Sequence, residues 1–165
     1  MSRLYFAYGS NMSLRRIRAR VPDVTVLSTA TLPGYRLAFH KIGRDGSGKC
    51  DVQAIPTEHA AVHGVVYRIR EQDKPRLDAW EDLGRGYVER RVRVHLADGS
   101  STEAFLYAAV LIDPALKPYP WYKAHVLYGA REAGLPDAYI AAIEAVDTVA
   151  DPDPLRHARE TAIYR

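Results

Sequence analysis

Apolar and polar positions alternate in short runs along most of this chain, and glycine, proline or Asp-Gly pairs end each run. Leu4 to Tyr8 is the first such run, and a second, Val24 to His40, is broken at Pro33-Gly34. Asp51 to Ile55, Val62 to Ile69, Val88 to Leu96 and Thr102 to Val110 follow. Period-two alternation between turn signals predicts strands, and Asp98-Gly99 predicts a hairpin joining the last two. Gly64, inside a strand pattern, marks a bulge or a close backbone approach. In Val88 to Leu96, Val88, Val92, Val94 and Leu96 share one face with Arg90. An arginine on that face needs a carboxylate partner or a place lining a cavity.

The 3.6-residue period appears in fewer places. Gln72 to Glu81 carries Leu77 and Trp80 on one stripe, with Glu81 between them in the last turn. Trp121 to Glu132, ended by Gly134-Leu135-Pro136, and Asp137 to Val146 predict two further helices. After Asp151 the Pro-rich sequence predicts an extended tail over residues 151–165. About six strands with helices at the periphery predict an α+β fold, a small mixed β-barrel. The whole chain, 1–165, reads as one domain.

Composition narrows the function classes. The 165 residues carry a net charge of +3, 47% hydrophobic residues and one cysteine, Cys50. One cysteine permits no internal disulfide, and the sequence has neither a signal-peptide pattern nor an apolar run long enough to cross a bilayer. A cytoplasmic location and no membrane partner are expected. The arginines are dispersed without a block or a recognisable binding motif, so nucleic acid is not expected as a partner, and the excess charge suits small anionic ligands.

Two elements carry candidate chemistry. The first strand runs into Gly9-Ser10-Asn11-Met12, and Ser13 then caps a basic helical segment. Such a turn brings unpaired amides towards an anion or a developing oxyanion. The second element is Glu81, a carboxylate on a core-facing stripe at a helix end, where burial and the helix dipole both disfavour charge. It is either an acid/base group or a residue turned outward to pair with Arg85 or Arg90. Asp78 and Asp82 read as solvated or capping groups.

The remaining patterns are weaker. The Gly43 to Gly48 loop lacks the ending and context of a P-loop and reads as a hairpin tip. His59 and His63 lack the intervening glutamate of a helical zinc site, so no metal is assigned. Ser10 has no nucleophile-elbow bracket, and Cys50 is assigned packing. Tyr122 either lines a pocket or packs its helix.

Tyr8-Gly9-Ser10-Asn11 after an N-terminal strand, Leu77 to Glu81 before Gly84 to Tyr87, and Tyr122 before Gly129 resemble the γ-glutamylcyclotransferase-like family, which includes the plant AIG2-like proteins. The resemblance spans roughly residues 4 to 135. It implies a small mixed barrel and an enzyme that cyclises a γ-glutamyl amino acid, peptide or amine to 5-oxoproline, releasing the amine, without metal or cofactor. It also implies Glu81 as the catalytic group, with Tyr8, Gly9, Ser10, Asn11, Met12 and Tyr122 binding substrate. A non-catalytic module binding a small metabolite on the same fold is the opposing reading.

Overall fold

The computed structural model describes residues 1–57 and 59–165. Five strands close a barrel in the order β1 (Ser2–Ala7), β5 (Ala61–Arg70), β2 (Thr25–Pro33), β6 (Tyr87–Leu96) and β7 (Ser101–Ala109). Neighbours are antiparallel except where β7 meets β1, a parallel contact at Tyr5 and Phe105 that makes the barrel mixed and removes both free edges. Phe6, Val62, Tyr67, Val94 and Leu106 are fully or almost fully buried. Each contributes on the order of 1.5–3 kcal/mol by leaving water.

The run expected from Val24 to His40 is two strands. Gly34, at φ +79°, turns β2 into β3 (Tyr35–Ile42), which pairs with β4 (Gly48–Ala54) in a separate hairpin beside β5 and β7. Seven strands therefore replace the expected six, five of them in the barrel. The Gly43 to Gly48 segment is the tip of that hairpin, with the Gly43 N–H donating to the Ser47 carbonyl. Asp51 ties the hairpin down, since one carboxylate oxygen lies 2.7 Å from His40 Nε2 and the other accepts from the Ala109 N–H at 2.9 Å. Gly64 is a close approach: a Cβ there would stand 2.3 Å from the Ala7 carbonyl oxygen.

Arg90 is exposed and makes no ion pair among the described residues, which corrects both expectations for it. The cause is register. β6 meets β2 only at Leu96 and His95, so the face bearing Val88 and Arg90 runs past the point where the wall is closed on that side. Val88 is 42% exposed for the same reason.

Helices cover one end. α1 (Leu14–Arg20) begins at Ser13, whose Oγ accepts from the Arg16 N–H. α2 (Lys74–Trp80) ends one residue before Glu81. α3 (Pro120–Glu132) packs its Gly129 directly on the backbone of Met12 and Ser13, where a Cβ would come within 2.4 Å. α4 (Asp137–Glu144) follows the Gly134 turn. The expected extended tail is instead helical. α5 (Arg156–Thr161) and a final 3-10 turn fold back on α3: Asp153 accepts from the Leu155 N–H in the turn that leads into the helix, and Tyr164 stacks on Tyr128 at 3.9 Å between ring centres.

Candidate active site

The strand–turn junction at the end of β1 and the C-terminal end of α2 face each other. Ala7 is the last strand residue, and Ser10–Met12 forms a single 3-10 turn with Gly9 before it. The N–H groups of Met12 and Ser13 fold back on the carbonyls of Gly9 and Ser10. No side chain among the described residues accepts from the amides of Gly9, Ser10 or Asn11. Gly9 carries no side chain for a spatial reason: a Cβ would stand 2.9 Å from Cys50 Cβ and 3.5 Å from Tyr122 Oη. β4 and α3 therefore press the turn into place from behind.

Glu81 stands opposite. Its backbone N–H still donates to the Leu77 carbonyl, but its dihedrals leave the helix, and its side chain is 14% exposed. Asn11 Nδ2 donates to Glu81 Oε1 at 2.7 Å and to Tyr5 Oη at 3.1 Å, while Asn11 Oδ1 accepts from Arg20 Nη1. Arg20 also lies 3.4 Å from Glu81 Oε1. The partner is thus Arg20 of α1, neither Arg85 nor Arg90. Trp80 does not share the buried stripe with Leu77. It is 57% exposed, with the Arg20 guanidinium 5.0 Å above its ring. Asp78 accepts from Lys74 and from Tyr107 Oη, and Asp82, at φ +52°, pairs with Arg44.

These groups line two adjoining cavities. The inner one, of about 30 Å³, is walled by Tyr5, Tyr8, Gly9, Ser10, Asn11, Cys50, Glu81, Tyr87, Tyr107 and Tyr122. The outer one, of about 300 Å³, shares Ser10, Glu81, Tyr87 and Tyr122 with it and opens between α1, the β3–β4 tip and α3. Tyr8, Gly9, Ser10, Asn11, Glu81 and Tyr122 are therefore brought together. Met12 departs from the group: it is 1% exposed, lines neither cavity, and sits beneath the turn with its carbonyl accepting from Tyr67 Oη.

The walls are held by main-chain contacts. Tyr8 Oη donates to the Tyr107 carbonyl, Tyr87 Oη donates to the Cys50 carbonyl at 2.8 Å, and the Cys50 N–H donates to Tyr122 Oη at 3.0 Å. Burial pushes the Tyr8, Tyr87 and Tyr122 hydroxyls well above their ordinary range, so they stay protonated. Burial also pushes the Cys50 thiol up to about 12, which makes it a wall atom at neutral pH.

Sequence reasoning missed Tyr5, Tyr87, Tyr107, Arg20 and Lys41 as lining residues. The tyrosines lie in strands, where aromatic residues read as ordinary sheet formers. Arg20 lies in a basic helix whose charges read as solvated.

Residues 61–143 match the AIG2-like family. The chain is 31% identical over 150 residues to the γ-glutamylcyclotransferase of Mus musculus and equally to that of Homo sapiens, covering 87% of this chain and 78% of each of those proteins. A solved structure of a γ-glutamyl cyclotransferase superposes over 99% of both chains with a TM-score of 0.89 at 26% identity. With the closed mixed barrel and this coverage, the chain belongs to the AIG2-like, γ-glutamylcyclotransferase family.

Proposed function

We propose that the protein is a γ-glutamylcyclotransferase that converts a γ-glutamyl compound to 5-oxoproline and a free amine. The observation that carries this reading is the meeting of Glu81 with the Gly9-Ser10-Asn11 turn on one cavity, linked by the 2.7 Å Asn11–Glu81 hydrogen bond.

The substrate's α-ammonium must lose a proton before its nitrogen can attack. Glu81, beside Arg20 and Asn11, takes that proton. The amine then attacks its own γ-carbonyl carbon. Nucleophile and electrophile belong to one molecule, so positioning supplies much of the rate. Negative charge grows on the carbonyl oxygen, towards which the amides of the turn serve as fixed donors. Protonated Glu81 gives its proton to the leaving nitrogen as the bond from the γ-carbon to that nitrogen breaks. The ring nitrogen then gives up its second proton, through the freed carboxylate, to the released amine, and a neutral five-membered lactam and an ammonium remain. No redox step and no second reactant enters this sequence.

The two cavities suit this division of labour. The inner one has room for little more than a carbonyl oxygen beside the turn, with Tyr8 and Tyr122 as walls, and the outer one, about 300 Å³, has room for the rest of the substrate. The test is incubation of the protein with a panel of γ-glutamyl amino acids, γ-glutamyl peptides and γ-glutamyl amines, with 5-oxoproline as the readout. Product from at least one class is expected. Binding of panel members without product from any of them would establish the non-catalytic module instead.

A further inference from the structure

Five cations line the outer cavity, and four of them already have a carboxylate. Arg16 is 3.1 Å from Glu160, Arg20 is 3.4 Å from Glu81, Arg44 is 2.7 Å from Asp82 and Lys49 is 3.0 Å from Asp45. Lys41 has no ion pair or hydrogen bond from its ammonium among the described residues, although it is only 7% exposed. Its Nζ lies 4.6 Å from the centre of the Tyr87 ring, a wall of both cavities.

The fold keeps that ammonium where it is. Lys41 is opposite Lys49 in the β3–β4 ladder, and Gly86 leaves it room, since a Cβ there would stand 2.8 Å from Nζ. The carboxylates of Glu81, Asp82 and Asp45 act on this partly desolvated ammonium only from beyond ion-pair distance, so it can take a closer anion. Burial lowers its proton affinity, and the nearby Glu81 carboxylate opposes that effect.

We infer that Lys41 is a specificity-determining residue that binds a carboxylate on the leaving group, so that γ-glutamyl compounds ending in a free carboxylate are preferred over neutral ones. The inference rests on the cyclotransferase reading. The outer cavity shares Ser10, Glu81, Tyr87 and Tyr122 with the inner chamber and is the roomier of the two, so it can hold the departing portion while the γ-carbonyl lies against the turn. An arriving carboxylate supplies the close ion-pair partner that Lys41 lacks among the described residues.

The test compares γ-glutamyl-alanine with γ-glutamyl-alaninamide, which differ only in the charge of the leaving group. Wild type is expected to favour the acid in kcat/KM by about 10- to 100-fold, largely through KM. In Lys41→Met that ratio falls to near one, and in Lys41→Arg most of it is kept. The wild-type ratio carries the test by itself should Lys41→Met fold poorly. Equal turnover of the two substrates by wild type overturns the inference and leaves cyclisation standing. An equal loss on both substrates in Lys41→Met does the same, placing the lysine on the shared glutamyl half. If wild type yields 5-oxoproline from neither these nor any other γ-glutamyl compound, the cyclotransferase reading falls and takes this inference with it.

Discussion

Asn11 and Glu81 are 70 residues apart in sequence and 2.7 Å apart in space, and their hydrogen bond joins the β1 turn to the end of α2. Asn11 is 3% exposed and its amide has three partners, Glu81, Tyr5 and Arg20. Asn11→Ala leaves a buried tyrosine hydroxyl and a guanidinium short of partners. It is expected to destabilise the fold by about 1–3 kcal/mol. With Glu81 released from one side, 5-oxoproline formation should fall about 10- to 100-fold in kcat. Denaturant melts and steady-state rates on the same preparation check both, and unaltered kcat would remove Asn11 from the placement of Glu81.

Gly9 and Cys50 form a second coupled pair. The absent Cβ of Gly9 would meet Cys50 Cβ at 2.9 Å, whereas Cys50 Sγ is farther, at 3.3 Å. Gly9→Ala should therefore cost about 1–3 kcal/mol of stability. Adding Cys50→Gly, which removes the clashing atom, should restore more of the loss than adding Cys50→Ala, which keeps it. A double-mutant cycle by thermal melting measures the difference. Equal recovery would show that the contact at the β-carbons is not what excludes a side chain from position 9.

Much of this arrangement could be read before the structure. The short apolar runs of Val62 to Ile69 and Thr102 to Val110 between turn signals were enough to place β5 and β7, both buried along most of their length. Glu81 and the Gly9 turn were legible as local anomalies, a carboxylate on an apolar stripe and a glycine at a strand end. What failed depended on partners distant in sequence. Nothing near Arg90 says that β2 leaves β6 there, and nothing near Trp80 says that Arg20 lies against its outer face. Met12 belongs to the recognised motif, yet Gly129 of α3 packs against it from behind and makes it part of the support. The residues after Asp151 look extended by their prolines. Their helix is fixed by Asp153 and by docking on α3, contacts that local propensity does not record.

The docked tail should make the protein acid-sensitive. His125 Nδ1 lies 2.7 Å from Tyr164 Oη, which donates to Ser13 Oγ, and Arg16 reaches both His125 Nε2 and Glu160. Burial holds the imidazole below its ordinary value of 6.5, so the folded state favours its neutral form. That stability is complete above pH 6.5 and is lost as pH falls through the lower folded value. In that lower pH range His125, protonated and donating from Nε2, together with Arg16 holds the Glu160 carboxyl down at about 2 against burial, so its share is lost between 4.5 and about 2. Melting temperature should therefore fall as pH drops below 6.5, and fall further below 4.5. His125→Gln should flatten the upper part of the slope. A wild-type melt independent of pH from 7.5 to 5.5 would contradict this assignment.

The central claim is that Glu81 moves the proton on which ring closure depends. Its most direct measurement is 5-oxoproline formation by Glu81→Gln, on the substrate that wild type turns over best, alongside substrate binding by calorimetry. The variant keeps the shape of the side chain and loses the base. The account predicts binding within about threefold of wild type and a kcat lower by about 10²- to 10⁴-fold. A variant that binds and also forms the lactam at the wild-type rate would contradict it.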